Sequence, residues 1–375
     1  MLTVLVPAVA EAAPAVAAPS KVSAKVSSNG SVKLTWSKVK GSHVTYTVAS
    51  IPAGASCRTM ATSCSLSLSS ALETRFSVVA TTTAGSSAPS PMSNTIATRT
   101  VLIVAGQSNA MGANSFATDP ATKVNYFAAP YANGADSADS IQWSNYFVSP
   151  APASSTGLVA LNTPQNATSS PTGQIFGPEI GLARQLYADS GVPVTIVKSA
   201  YPGSSLANDW CQTCAAYTKL KIMVTTRIRA DAARGVADVV AGFYWYQGEA
   251  DTANPTWASA YEGNLVRLDS YVRTEMHLVP DAPFAIAKES VSDYISYLQA
   301  TGGCGADNCA AYQAGNTAVR AADDELQATM PNVVVVDTTG LARWAPGNYV
   351  HLTNQSELTI GQQLARATES QLGLK

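Results

Sequence analysis

Hydrophobic positions divide the chain into two parts with different periodicities. In residues 21–98 apolar side chains alternate with polar ones, as along the stretch 32–36, and this is the pattern of half-buried strands. Asn29-Gly30 supplies a favourable hairpin turn between the first two strands. Short strands at this spacing predict a small all-β sandwich.

After residue 99, continuous apolar runs of strand length alternate with longer segments of helical periodicity. The runs lie at 100–105, 194–198, 239–246, 284–288 and 333–338. The helical segments lie near 178–189, 214–234, 256–278, 308–329 and 354–372. This alternation predicts an α/β domain whose parallel, five-stranded sheet is covered by helices on both faces. Asn354 is expected to cap the last helix, together with Glu357 three residues later.

Residues 113–175 interrupt this alternation. They are rich in Ala, Ser, Pro and Asn and show weak periodicity. An irregular segment of this length is more often functional or disordered than part of a core. Since it follows the end of the first apolar run directly, we expect it to wall a site at that end of the sheet.

The domain prediction is therefore a leader at 1–20, a β-sandwich at 21–98 and an α/β domain at 99–375. The leader is apolar and Ala-rich and contains small-residue cleavage sites, although no Lys or Arg precedes its apolar part. These features favour a signal peptide and a secreted protein, and the alternative is a disordered Ala- and Pro-rich tail.

Charge and hydropathy narrow the possible partners. Charged residues make up 13% of the chain and the net charge is −2, so nothing supports nucleic-acid binding. No apolar run approaches the ~20 residues that a membrane-spanning helix needs. The sequence gives no indication of the oligomeric state.

The six cysteines form three pairs that are close in the sequence: Cys57/Cys64, Cys211/Cys214 and Cys304/Cys309. An even count in a secreted chain predicts disulfides, although the sequence leaves their connectivity open. The alternative is a zinc site built from the last four cysteines.

The candidate chemistry begins where the first apolar run of the α/β domain ends. Gly106 turns the chain and presents Gln107, Ser108 and Asn109 at the carboxyl edge of the sheet, where ligands bind in open α/β folds. A serine at this edge is a candidate nucleophile, and it needs a general base. Among three histidines, His351 is favoured because it lies between the last strand and the last helix, on the same edge.

Two further strands end at this edge with polar or flexible residues. Gly203 follows one of them, and its amide can approach a developing oxyanion closely because no Cβ intervenes. The other ends in Gln247-Gly-Glu249-Ala-Asp251, in which the Gln247 amide is a candidate oxyanion donor.

These motifs resemble the SGNH-hydrolase superfamily, and within it the sialate O-acetylesterase-like and carbohydrate esterase family 6 branch. The resemblance rests on three motifs: Gly-Gln-Ser-Asn at 106–109, Phe-Gly-Pro-Glu at 176–179 and Trp-x-Gln-Gly-Glu at 245–249. The resemblance implies a three-layer, flavodoxin-like fold and deacetylation of sugars. It also implies Ser108 as the nucleophile and His351 as the base.

By the same resemblance the oxyanion hole consists of the Ser108 and Gly203 amides and the Gln247 side chain. Residues 21–98 separately resemble a fibronectin type III domain, through Val32–Trp36 and Phe76–Pro89. Such modules are usually spacers.

The chain departs from the usual superfamily pattern at the position of the third catalytic residue. Superfamily members usually carry Asp three residues before the histidine, and here that position is Asn348. The alternatives are a Ser–His dyad or a third role for another carboxylate at the same edge. Glu249 is favoured over Asp251 for that role.

The sequence thus predicts a serine carbohydrate O-acetylesterase, of acetylxylan or sialic acid type, that needs no metal or cofactor. Its acetylated carbohydrate substrate is expected to contact Gln107, Asn109, Asp251 and Trp210. The alternative is a non-catalytic glycan-binding or adhesion protein on an esterase-like fold. A lipase or peptidase is disfavoured because the chain has no Gly-x-Ser-x-Gly motif.

Overall fold

The computed structural model describes most of the chain, namely residues 16–69, 72–145, 154–155, 157–163, 165–166 and 174–374. Most of the predicted leader therefore lies outside the described residues. The chain divides into two compact units: one comprises residues up to 68 with 72–98 and 231–237, and the other comprises 69–71, 99–230 and 238–375. Within the described residues, no helix has the length and apolar character that a bilayer span requires.

The first unit is a sandwich of two antiparallel sheets. Its strands are β1 (Ser23–Val26), β2 (Val32–Thr35), β3 (Thr45–Ile51), β4 (Ser56–Thr59), β5 (Ser63–Leu66), β6 (Arg75–Thr82) and β7 (Gly85–Ser86). One sheet has the order β1-β2-β5 and the other β4-β3-β6-β7. The alternating burial expected from the sequence is present, and the Cys57–Cys64 disulfide links β4 to β5 and so joins the sheets.

A serine repeat completes one edge of this sandwich. Ser87, Ser90 and Ser93 follow β7 at intervals of three residues, each donating its amide to a carbonyl of β6 and accepting a β6 amide on its Oγ. The prolines between them have no amide to donate. The serine hydroxyls thus satisfy the β6 edge without a regular strand.

The second unit is an α/β domain around one large sheet. Its strands are β8 (Ala97–Gly106), β9 (Ser140–Ser144), β10 (Val159–Ala160), β11 (Gln165–Asn166), β12 (Gln174–Ile175), β13 (Val194–Ala200), β14 (Val236–Tyr246), β15 (Phe284–Lys288) and β16 (Val333–Asp337). Its helices are α1 (Ser108–Met111), α2 (Ala135–Ala138), α3 (Pro178–Ser190), α4 (Ala215–Ala232), α5 (Glu249–Thr252), α6 (Pro255–Glu275), α7 (Ser292–Thr301), α8 (Ala306–Thr329) and α9 (Asn354–Leu372).

The large sheet has seven strands in the order β10-β9-β13-β8-β14-β15-β16. Strands β9, β13 and β8 are mutually parallel, as are β14, β15 and β16, whereas β10 is antiparallel to β9. All five expected strands are present, and the expected number was too small by two, because β9 and β10 were not predicted. Both come from the segment 113–175, in which β9 buries only Ile141, Trp143 and Ser144 and so gives a weak sequence signal.

Helices pack on both faces of this sheet. Val101, Ile103 and Ala105 of β8 belong to one apolar core with residues of α4, α6 and α8. The intervening Leu102 points to the other face, where a Cβ on Gly242 would contact both Leu102 and Leu372 of α9. Strand β8 is therefore buried on both sides, as its uninterrupted apolar sequence predicts.

Helices α3 and α9 cross on that second face at two glycines. A Cβ on Gly181 of α3 would lie 2.2 Å from the Leu358 carbonyl oxygen, and one on Gly361 of α9 would lie 2.1 Å from that of Pro178. The start of α9 differs from the expectation, because Thr353 is the N-cap and accepts from the Ser356 amide. Asn354 instead exchanges two hydrogen bonds with the backbone of Phe116.

We expect Gly361→Ala to destabilise the α/β domain by roughly 3 kcal/mol, the upper end for overpacking, because the added methyl meets backbone that cannot move aside. The matched control is Gly263→Ala on the exposed side of α6, where only a flexible arginine end lies within 4 Å. That change should stabilise by roughly 0.5–1 kcal/mol. Denaturant unfolding measures both, and equal effects would contradict the close helix crossing.

Candidate active site

The turn that carries Ser108 depends on glycines. Gly106 has φ +148°, and a Cβ there would lie 2.0 Å from the Tyr246 carbonyl oxygen of β14. The same oxygen accepts the Gln107 amide at 3.0 Å. Gly112 closes α1 with φ +86°, and a Cβ there would overlap the Phe176 carbonyl. Both ends of α1 are thus fixed, and the amides of its first turn lack helical partners.

A buried lysine side chain donates a hydrogen bond to the last residue of α1. Lys198 of β13 is fully buried and donates to the Met111 carbonyl at 2.9 Å, and its Nζ lies 3.0 Å from Glu179 Oε2. The other oxygen of Glu179 accepts the Gly177 amide at 3.0 Å. The Phe-Gly-Pro-Glu motif therefore has a structural role, because its glutamate pairs with the lysine that binds the helix of Ser108.

Ser108 faces a glutamate rather than the imidazole. Its Oγ donates to Glu249 Oε2 at 3.3 Å, and the same oxygen accepts from Gln107 Nε2. Glu249 Oε1 accepts from Asn109 Nδ2 at 2.5 Å. No hydrogen bond joins Glu249 to His351 in the described part of the chain. These contacts differ from the expectation that Glu249 orients the imidazole ring.

Glu249 is half-buried and pairs with the buried carboxyl group of Glu289. Burial raises its pKa well above the usual range, and the neighbouring Glu289 raises it further. Burial also raises the pKa of Glu289, against the opposing effect of Arg343, whose Nη2 lies 3.5 Å from Glu289 Oε1. Ionisation of one carboxyl group disfavours ionisation of the other, because neighbouring negative charges repel.

Glu289 is a site residue that the sequence reasoning missed. It follows β15 immediately, so it occupies the same carboxyl edge of the sheet as Gln247 and Ser108. The sequence signal that could have identified Glu289 was its position directly after a predicted strand. Its partner Arg343 lies in the loop before His351, and its Nη2 also donates to the Ser290 carbonyl at 2.7 Å.

The side chain of Asn109 connects the serine to the histidine loop. Its Nδ2 donates to Glu289 at 3.1 Å and to the Val350 carbonyl at 3.3 Å, and its Oδ1 accepts the Leu352 amide at 3.1 Å. The backbone on both sides of His351 is thus bound to the residue next to Ser108. Ser108 and His351 thus lie at the same edge of the sheet, although no direct hydrogen bond joins their side chains among the described residues.

The His351 ring is held by two neutral amides. Nδ1 lies 2.7 Å from Asn348 Nδ2 and 2.8 Å from Asn114 Oδ1. The first contact requires an unprotonated Nδ1 and the second a protonated one, so they favour opposite tautomers. With no carboxylate on the ring, burial lowers the pKa of His351 to about 4. Asn114 belongs to the segment that was expected to wall this site.

Gln247 and Asp251 support the loop that carries Gly203. Gln247 Nε2 donates to Gln107 at 3.1 Å, to the Ser204 carbonyl at 3.1 Å and to Asp251 at 2.7 Å. Asp251 also accepts the amides of Leu206 and Ala207 at 2.8 and 3.1 Å. The protons of the Gln247 amide are therefore already directed at protein acceptors.

Gly203 itself is exposed, with φ +71°, and a Cβ added there would meet no atom within 4 Å. Its amide therefore lies at an accessible point of the loop that Asp251 holds. The predicted oxyanion donors thus differ in their availability, because Gly203 is open to solvent and Gln247 is not.

The four residues expected to contact substrate are all buried. The prediction for Trp210 is wrong: its ring is fully buried in the core, packs edge-on against Trp245 at 5.1 Å, and donates from Nε1 to Ser204. Gln107, Asn109 and Asp251 are at most 2% exposed and are directed to protein partners. Their side chains therefore hold other residues of the site in place.

The cysteines are paired as neighbours in the sequence. Besides Cys57–Cys64, the disulfides are Cys211–Cys214 and Cys304–Cys309, which excludes the alternative of a zinc site made by those four thiols. No cluster of three or more potential metal ligands occurs among the described residues.

Several solved structures are similar to parts of this chain. An Arabidopsis thaliana protein is 21% identical, with 73% of this chain and 99% of that chain covered at a TM-score of 0.50. XAC1771, a carbohydrate acetylesterase from Xanthomonas citri, is 18% identical, with 91% and 71% covered at 0.49. An Fn3-like protein from Clostridium thermocellum is 19% identical and matches 21% of this chain and 90% of its own length at 0.18.

A search of curated protein sequences finds no match. Residues 98–370 match the family described as carbohydrate esterase, sialic acid-specific acetylesterase. This match spans nearly all of the α/β domain, and it includes the Ser108 turn, the Glu249 segment and the His351 loop. The chain therefore belongs to the sialic acid-specific acetylesterase family of carbohydrate esterases.

Proposed function

We propose that this protein is an exported serine esterase that removes O-acetyl groups from sugars or polysaccharides through an acetyl-serine intermediate. The observation that carries the proposal is the Asn109 side chain, which binds the backbone on both sides of His351 while Ser108 is its neighbour in α1. The three disulfides support export, because they persist in oxidising compartments. The three-layer SGNH arrangement fits the helices on both faces of the sheet.

The reaction begins when the Ser108 hydroxyl turns from Glu249 to the imidazole. The reactive tautomer carries its proton on Nδ1 and donates it to Asn114 Oδ1, which leaves Nε2 free to accept the serine proton. The alkoxide then attacks the acetyl carbonyl. His351 gives this proton to the departing sugar oxygen, which leaves as a hydroxyl group. Water then attacks the acetyl-enzyme with His351 again as the base, and the proton passes to Ser108 as acetate is released.

The oxyanion of each tetrahedral intermediate is stabilised by backbone amides. The Ser108 amide lies in the first turn of α1 and is free of a helical partner, and the Gly203 amide lies in an exposed loop. Gln247 could donate to the oxyanion only by breaking one of the three hydrogen bonds that its Nε2 makes. Its contacts therefore favour a supporting role.

Glu249 acts in its neutral form. Its raised pKa keeps a negative charge away from the serine, where a second anion would repel the developing oxyanion. Its two oxygens meanwhile position the side chains of Gln107, Ser108 and Asn109. We infer that Glu249 positions the nucleophile, whereas the neutral amides of Asn114 and Asn348 hold the imidazole.

Ser108→Ala should abolish acetate release while leaving the fold and its melting temperature intact, because only the nucleophilic oxygen is lost. Release is measured with p-nitrophenyl acetate, acetylated xylan and O-acetylated sialic acid as substrates, and the panel identifies the substrate class. The control Ser137→Ala removes an exposed hydroxyl of α2. Activity retained in Ser108→Ala would contradict the assignment. Sugar binding by the wild type without any acetate release would favour the glycan-binding alternative.

The pH profile tests the uncharged surroundings of His351. Since its pKa is about 4, kcat/KM should rise through pH 4 as the imidazole loses its proton and become half-maximal there. In Asn348→Asp, a carboxylate replaces the competing amide nitrogen. We expect the acid limb to move to higher pH and kcat/KM to increase at least roughly tenfold, because the reactive tautomer is then held. An unchanged limb in this variant would contradict the contact.

The alkaline side of the profile reports on Glu249. Ionisation of this raised-pKa carboxyl should lower kcat/KM as the pH increases, and Glu249→Gln should remove that limb while retaining the acid limb. The variant should also lose about tenfold in kcat, because one amide nitrogen then faces a donor. Glu262→Gln, an exposed change on α6, is the charge-matched control. An alkaline limb that persists in Glu249→Gln would assign the ionisation elsewhere.

A further inference from the structure

A cleft of about 500 Å³ opens beside the histidine loop. It lies between α7 and residues 340–349, and its lining includes Asp293, Ser296, Tyr297 and Tyr349. Helix α7 starts three residues after Glu289, and the loop ends two residues before His351. The cleft therefore borders the same edge of the sheet as Ser108, and the site described above does not use it.

Two tyrosines form a stacked pair in this cleft. The rings of Tyr297 and Tyr349 lie 4.4 Å apart with an interplanar angle of 16°. Tyr297 remains 40% exposed, so much of its ring is open to a ligand. The face of an aromatic ring carries negative potential and is apolar, which suits the C–H face of a sugar ring. Stacking on Tyr349 fixes the Tyr297 ring in advance and so lowers the entropic cost of binding.

The pair lies beside the loop that carries His351. Tyr349 directly precedes Val350, whose carbonyl accepts from Asn109, the residue next to Ser108. Its Cα lies within about 7 Å of that of His351, because two residues of extended chain span no more than this. A sugar stacked on Tyr297 would therefore be a neighbour of the sugar that carries the acetyl group.

The charges around the cleft favour an uncharged sugar. The side chain of Asp293 is 65% exposed, whereas Arg343 beneath it is only 3% exposed and already contacts Glu289 and Asp293. The accessible charge is thus negative, which disfavours a carboxylated sugar at this position. The Asp293 carboxylate and the Ser296 hydroxyl are suited to sugar hydroxyl groups.

We propose that this cleft is a second sugar subsite, in which Tyr297 stacks on an uncharged sugar adjacent to the acetylated one. The enzyme then acts on acetylated neutral oligosaccharides or polysaccharides rather than on a free monosaccharide. This inference rests on the proposed esterase activity only for the position of the acetyl group, because binding of a neutral glycan at Tyr297 does not depend on catalysis.

Kinetics of Tyr297→Ala give the first test. With acetylated xylotetraose we expect KM to increase about tenfold with kcat nearly unchanged, whereas kcat/KM for p-nitrophenyl acetate, which does not reach the cleft, stays at the wild-type value. Tyr297→Trp should restore KM because it retains an aromatic face. Gln299→Ala, also exposed on α7 and outside the cleft, is the matched control. Equal losses on both substrates, or no loss on the tetrasaccharide, would overturn the subsite.

Binding without catalysis gives the second test. Unacetylated xylotetraose and mannotetraose are titrated by calorimetry into Ser108→Ala and into Ser108→Ala/Tyr297→Ala. Binding of either glycan to the first protein and its loss in the second support the subsite even if no acetate is ever released. Equal binding to both proteins, or none to Ser108→Ala, would refute it. Failure of acetate release by the wild type on every acetylated glycan counts separately, against the esterase activity alone.

Discussion

The buried side chain of Asn109 connects the elements of this site more than any other group. Two protons on Nδ2 serve three acceptors, on Glu249, Glu289 and the Val350 carbonyl, while Oδ1 accepts from Leu352. One amide thus joins the ends of β8, β14 and β15 to the loop before α9. Because an unsatisfied polar group in a buried position is costly, each of these segments is fixed relative to the others.

This arrangement determines how the carboxyl pair behaves. Glu249 and Glu289 repel each other when both are ionised, and of these two carboxyl groups only Glu289 contacts Arg343. Arg343 therefore opposes the rise in the pKa of Glu289, whereas the neighbouring Glu289 raises the pKa of Glu249 further. Burial raises both pKa values, and the guanidinium of Arg343 is the main opposing influence at Glu289.

Much of the fold follows from local sequence signals. The five predicted strands are rich in apolar residues, and they alternate with five long segments of helical length, so both were predicted at nearly the correct positions. Strand β9 and helix α7 were missed because each buries few residues. Their stability comes from neighbours in space, such as β13 beside β9, and these contacts are invisible in a local window.

The site was predicted less completely for the same reason. Ser108, His351 and Gly203 stand out because each follows a strand, but the contacts of a side chain are decided by the tertiary structure. Trp210 illustrates this, since it lies in a polar stretch that looks exposed. Asp251 binds the amides of Leu206 and Ala207 and draws the loop inward, and the indole is then buried against Trp245.

Asn348 illustrates the opposite limit. The sequence reveals that the usual aspartate is missing, but not that Asn114, from a segment without periodicity, supplies an oxygen to the ring. The consequence is electrostatic. An aspartate would raise the pKa of the imidazole, whereas two neutral amides leave burial as the main influence on it. In the proposed mechanism His351 is therefore a weaker base than the histidine of a Ser-His-Asp triad, and it is also unprotonated over a wider range of acidic pH.

A weak base can still deprotonate serine when the alkoxide is attacking as it forms, because proton transfer and bond formation then share one barrier. In this mechanism the stabilisation lost at the imidazolium must come from the oxyanion amides, and for this reason the raised pKa of Glu249 matters as much as the identity of residue 348.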